Sequence, residues 1–173
     1  YNPANRLPPV ASLYEKGISL GVMSKAFGLG GVRVGWIACQ DKALIQRMLE
    51  IKHFLSICNG RSDEVLSKIA LNHADVIREK NRQLLKNNRN LITDNLASIE
   101  DRIDWYQPLA GCVAYPRLKN VESSREFAEQ LLNDTGIMIV SGDCFLQDKA
   151  HFRLGFSRRD FPEALERFIS YLT

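Results

Sequence analysis

The stretch Ser19-Leu-Gly-Val-Met-Ser-Lys-Ala-Phe-Gly-Leu-Gly-Gly-Val-Arg-Val-Gly-Trp36 constrains this chain more than any other. An apolar run, Ile18 to Met23, leads into Ser24 and Lys25. A turn holding Gly28, Gly30 and Gly31 follows, and then the alternating run Val32 to Ala38. Apolar and β-branched residues flanking a segment free to take positive φ predict two short strands joined by a glycine-rich loop. Lys25 stands at the loop entrance. Arg33 is expected inside the second strand, facing away from Val32, Val34 and Trp36, where a guanidinium among apolar neighbours needs an anion. A lysine desolvated beside another cation becomes an amine nucleophile toward an aldehyde. An arginine backed by glycine-loop N–H groups suits a phosphate. Aldehyde and phosphate on one small molecule describe pyridoxal 5'-phosphate. By residue type alone, Lys25 is also readable as one solvated charge among 23 Lys and Arg, and the glycines as a tight turn. The lysine precedes the glycines, so this is not a P-loop, and the spacing is not the dinucleotide fingerprint.

The whole string is more specific. Ser24-Lys25-x-x-Gly28-x-x-Gly31-x-Arg33-x-Gly35-Trp36 closely resembles the cofactor-lysine signature of class I and II aminotransferases, which are fold-type I pyridoxal-phosphate enzymes. The resemblance implies that Lys25 is the Schiff-base lysine and catalytic base, that Arg33 binds the cofactor phosphate, and that Ser24 belongs to the cofactor site. Family members often place a hydroxyl residue three positions before the lysine; here that position is Val22.

A second string, His151-Phe-Arg153-Leu-Gly-Phe-Ser157, alternates as a strand that projects Arg153 opposite Phe152 and Leu154. A guanidinium fork held by a strand grips a carboxylate bidentately, although a salt-bridged strand residue has the same pattern. The family uses an arginine in such a C-terminal strand for the substrate α-carboxylate, so the resemblance implies that role for Arg153. The segment Val140 to Phe145 resembles the family's glycine–x–x–phenylalanine loop, and Pro108 to Gly111 resembles its entry into the small domain.

The implied fold class is α/β: the C-terminal part of the fold-type I large domain plus the small α/β domain. Residues 1–75 are expected to end the cofactor-binding domain, 76–99 to form a connecting helix, and 100–173 to form the small domain. Helices are expected near Ala11–Lys16, over Lys42–Phe54 capped by Asp41, from Asp63 capped by Ser62, over Ala74–Ile99, Ser123–Asn133 and Phe161–Leu172. Leu44, Ile45, Met48, Leu49, Ile51 and Lys52 form a stripe at helical spacing, and Met48 is expected in the core. Strands are expected at Ile103–Tyr106, Cys112–Leu118, Ile137–Val140 and Phe152–Phe156.

The chain is shorter than family members, and several of the family's cofactor residues are expected upstream, with Tyr1 the one candidate for the ring-oxygen tyrosine. It therefore reads as a C-terminal fragment, inactive alone. The full-length protein is expected to be a cytoplasmic homodimer acting on an amino acid and a 2-keto acid, with the loop before Ser62 at the dimer contact. A mild net charge of +3 with dispersed basic residues argues against nucleic acid, and no apolar run reaches membrane-spanning length. Cys39, Cys58, Cys112 and Cys144 are far apart, which predicts free buried thiols in a reducing cytosol and no metal site. The same scaffold also hosts C–S lyases, decarboxylases and racemases. An aminotransferase-like sensing domain of a transcription regulator and an inert fragment are further alternatives.

Overall fold

Pro8 and Pro9 lead the chain into a single helical turn, α1 (Val10–Leu13), shorter than the stretch expected over 11–16. The structure, a computed structural model, describes residues 4, 6–145 and 149–173, without the side chain of Ala97. Tyr1 lies outside the described residues. The chain divides into two compact units, one running up to Asn81 and the other from Arg82 onward.

In the first unit β1 (Ile18–Val22) and β2 (Gly35–Cys39) form an antiparallel ribbon, with Ile18 opposite Cys39 and Val22 opposite Gly35. Helix α2 (Lys42–Leu55) starts at Asp41, whose side chain accepts from the Leu44 N–H at 3.0 Å. The next helix, α3 (Arg61–Asn72), begins two residues earlier than its apolar pattern suggests. Gly60 is its cap, and Ser62 lies inside the first turn beside Asp63 and Glu64, which complement the helix dipole. His73 closes α3, with Nδ1 2.9 Å from the Ile69 carbonyl oxygen. Helix α4 (Ala74–Leu96) follows and tightens into a 3-10 turn over Ala97–Ile99.

Met23, Phe27 and Ala70 are the buried centre of this unit, with Leu29, Val34, Ala74 and Ile77 packed around them. Met48 is not in that core: no α2 residue is buried. Instead Ile45, Met48, Leu49 and Ile51, with Leu20 and Trp36, line an open apolar groove of about 600 Å3. The helical period puts these residues on one face, but a two-stranded ribbon is too narrow to cover it.

The second unit is built on two small sheets. One pairs β3 (Ile103–Asp104) with β5 (Arg117–Leu118); the other has the order β4 (Val113–Ala114), β7 (Phe152–Gly155), β6 (Val140–Ser141), all antiparallel. The single strand expected over 112–118 is thus two. Pro116 separates them, because it has no N–H to give the ladder, although its carbonyl still accepts from Phe152 N at 3.0 Å. Only the end of the apolar run at 137–140 is strand.

Ser123 caps α5 (Ser124–Thr135), and Gly136 ends it at φ +71°, a left-handed stop that favours glycine. In α6 (Phe161–Leu172) the buried residues Phe161, Leu165, Phe168 and Leu172 recur on one face and join Ile92, Leu96, Leu131, Phe152 and Phe156 in the core. Asn88 of α4 is 2% exposed, and its Nδ2 donates to the carbonyls of Phe156 and Arg158, both at 2.9 Å. All four cysteines are free, but none is buried: Cys58 and Cys144 are exposed and Cys39 and Cys112 half-buried. Among the described residues no helix is long and apolar enough to cross a membrane, and no three His, Cys, Asp or Glu cluster as metal ligands.

Candidate active site

The loop between β1 and β2 is held from below by apolar anchors and closed by its own backbone. Met23 N donates to Val34 O at 3.0 Å, extending the ribbon by one rung, and Leu29 N donates to Met23 O at 3.0 Å. Gly28 N then closes a tight turn onto Lys25 O at 3.1 Å, with Gly28 at φ +68°. Met23, Phe27 and Val32 are buried, so the residues between them are left at the surface: Ser24 half-buried, Lys25 and Arg33 exposed.

Two expectations change here. Arg33 is not in a strand. Gly30–Val32 form a 3-10 turn, and Arg33 follows it in the left-handed region at φ 53°, ψ 33°, two residues before β2 begins. Valines at 32 and 34 imitate the two-residue period of a strand, but Val32 reaches the core from a turn. A non-glycine residue in this conformation costs roughly 1 kcal/mol. The side chain compensates by folding back: Nη1 donates to Gly30 O at 2.9 Å and to Ser24 Oγ at 3.5 Å. Lys25, expected to be desolvated, is exposed, because it opens the tight turn while Phe27 takes the inward position.

The loop nevertheless has the chemistry of an anion cradle. No Asp or Glu lies between Glu15 and Asp41, so Lys25 and Arg33 share a locally cationic segment. The Arg33 guanidinium lies against the Ser24 hydroxyl. A Cβ built on Gly30 or Gly31 would meet nothing within 4 Å, so the backbone there is open to close approach. Asn81, which sequence reasoning missed, holds the peptide after the lysine: its Nδ2 donates to Ala26 O at 3.0 Å. An asparagine among the charges of a long helix gives no local signal of such a role.

Ser24, Lys25 and Arg33 are therefore brought together in one loop of the first unit, while Arg153 belongs to the second. Arg153 is exposed on β7 between fully buried Phe152 and half-buried Leu154. Among the described residues no carboxylate pairs with it; its Cζ lies 5.9 Å from the centroid of the Phe145 ring.

Comparison with known proteins shows the family. The family model described as aminotransferase class I and II matches residues 5–168. The chain is 31% identical over 154 residues to capreomycidine synthase of Streptomyces vinaceus, covering 87% of this chain and 39% of that protein. It is 28% identical over 175 residues to aspartate aminotransferase of Rhizobium meliloti, covering 94% and 42% respectively. A PLP-dependent aminotransferase structure from Streptococcus suis 89-1591 superposes with a TM-score of 0.89 at 26% identity, over 96% of this chain and 44% of that one. The chain thus spans about two-fifths of the length of the relatives it matches. Its fold matches part of the fold-type I architecture, and the chain belongs to the class I and II aminotransferases.

Proposed function

We propose that the whole protein carrying this chain transfers an amino group between an amino acid and a 2-keto acid, with pyridoxal 5'-phosphate held at the Ser24–Arg33 loop. The observation that carries this reading is the Arg33 guanidinium folded back toward Ser24 in an acid-free loop that also presents Lys25. A guanidinium, a hydroxyl and an open glycine backbone match a phosphate dianion, and a primary amine matches an aldehyde. When bound, the cofactor supplies the electron sink that makes the substrate α-proton removable.

The chain's own residues then have separate tasks. Arg33 and Ser24 bind and orient the phosphate group. Lys25 Nζ would hold the cofactor's aldehyde carbon until an incoming amino acid displaces it, and the freed neutral amine would then take the proton from the substrate α-carbon. Asn81 fixes the Ala26 carbonyl, and through that peptide the direction in which Lys25 leaves the backbone. Arg153 is assigned the substrate α-carboxylate, which its guanidinium grips with paired N–H donors. Exposed apolar residues at the α2–α3 junction, Phe54, Leu55 and Ile57, support a homodimer contact there, and the free cysteines suit a reducing cytoplasm.

The test is spectroscopic. Adding pyridoxal phosphate to the whole protein should produce a bound-cofactor absorbance in the visible that Lys25→Ala lacks. Arg33→Ala should need at least about tenfold more cofactor, from the loss of a charged hydrogen-bond donor. An unchanged band in Lys25→Ala overturns the assignment. A second reading, a synthase rather than an amino-group exchange, is favoured by the similarity to capreomycidine synthase. Release of a 2-keto acid from an added amino acid decides for transfer; its absence, with the cofactor bound, decides for the synthase branch.

A further inference from the structure

Arg153 is seated on an aromatic face instead of on a carboxylate, and that seat is itself bolted to the strand. Phe145 ends the 3-10 turn Gly142–Phe145. At the start of that turn Gly142 N donates to His151 O at 2.7 Å, two residues before Arg153. The same carbonyl accepts from Ser124 Oγ at 2.6 Å, and Ser124, fully buried, also receives Gly142 N at 3.1 Å and bonds Ser141 Oγ at 3.0 Å. The turn is thereby clamped against the residue that leads into β7. On its outer side the Phe145 ring meets Tyr115 edge-on, 5.7 Å between centroids at 89°, and Tyr115 stacks on His151 at 4.9 Å and 13°. Phe145, Tyr115 and His151 form a continuous aromatic support, and its last ring lies under the Arg153 guanidinium at 5.9 Å.

We infer that Phe145 is a positioning residue for Arg153: its ring face holds the guanidinium by a cation–π contact, leaving the N–H edge free to take a carboxylate. The physical reason is a difference in what each partner uses up. A carboxylate partner would occupy the paired N–H donors that a substrate carboxylate needs. A ring occupies the flat face of the cation and leaves all of the edge donors unspent. It also restricts a side chain that otherwise has many rotamers, so less order has to be created when the substrate arrives. The inference rests on the reading of Arg153 as the carboxylate anchor.

The experiment measures KM and kcat for the amino-acid substrate in the whole protein carrying this chain. Phe145→Leu keeps bulk and removes the π face; KM should rise about two- to fivefold with kcat within twofold, the size of an exposed cation–π contact. Phe145→Tyr should restore KM. Pentafluorophenylalanine at 145 keeps the shape and reverses the ring quadrupole, so it should raise KM as leucine does, and it decides the matter even if Phe145→Leu fails to fold. A fluorinated ring that leaves KM at the wild-type value overturns the inference, as does a fall in kcat at unchanged KM. Arg153→Ala separates the two readings. If it raises KM tenfold or more while the position-145 variants do nothing, only the role of Phe145 falls. If it leaves KM unmoved, the carboxylate assignment itself is wrong.

Discussion

Replacing Asn88 by leucine tests whether α4 and the segment after β7 are joined by hydrogen bonding or merely by packing. Asn88 is 2% exposed, and both hydrogens of its amide are committed, to Phe156 O and Arg158 O at 2.9 Å each. Leucine fills a similar volume but donates nothing, so one buried carbonyl and one part-buried carbonyl lose their partner. Each such loss costs about 1–3 kcal/mol when the group stays dry, and the Phe156 carbonyl is the more deeply buried of the two. The sum expected is about 2–4 kcal/mol, which at a urea m-value of about 2 kcal/mol/M moves the midpoint down by about 1–2 M.

The assay is urea unfolding of a Trp36→Phe background, where Trp105, packed against the core of the second unit, is the remaining indole. Asn88→Asp is the companion variant. It keeps the shape but aims a carboxylate at two carbonyl oxygens, so its folded-state pKa must be raised. Stability of that variant should therefore be highest below the unfolded aspartate value of about 3.9 and fall as pH rises toward the folded value. A leucine variant within about 0.5 kcal/mol of wild type would refute the reasoning, because it would mean that the two carbonyls find water at no cost.

Asp143 gives the opposite sign. Hydrogen bonds from Ser141, then from Ser123, hold its carboxyl below the ordinary carboxylate range. Its contribution is complete above the unfolded value of about 3.9 and is lost as pH falls through the lowered folded value, so Ser141→Ala should flatten the acid limb of a Tm-against-pH curve. An acid limb parallel to that of wild type would exclude this origin. Gly21 lies opposite Trp36 in the ribbon, and a Cβ there would overlap the indole. Gly21→Ala should push the indole outward at a cost of about 1–3 kcal/mol and red-shift its emission in a Trp105→Phe background; an unshifted spectrum would show that the ring does not rest on the glycine.

Some of this molecule is written in short runs of residues. Asp41 three residues before Leu44 marks the start of α2, and the spacing of Phe161, Leu165, Phe168 and Leu172 marks the buried face of α6. The identities of Ser24, Lys25, Gly28, Gly31 and Arg33 were enough to find the candidate site and the family. Each of these signals lies within one element, where backbone preference and side-chain period act directly.

Other features were decided only when distant parts of the chain met. Val32 and Val34 have the period of a strand, yet burial of Val32 beneath a turn put Arg33 in the left-handed region. The α2 stripe has the period of a core face, yet the β1–β2 ribbon covers it only in part. Asn81 reaches Ala26 across 55 positions and Asn88 reaches Phe156 across 68, and the aromatic seat of Arg153 joins residues from three segments. A periodic pattern states which side of an element is apolar. Which surface meets that side, and which polar group is left there needing a donor, depends on how the whole chain competes for burial, and that is settled only in the folded molecule.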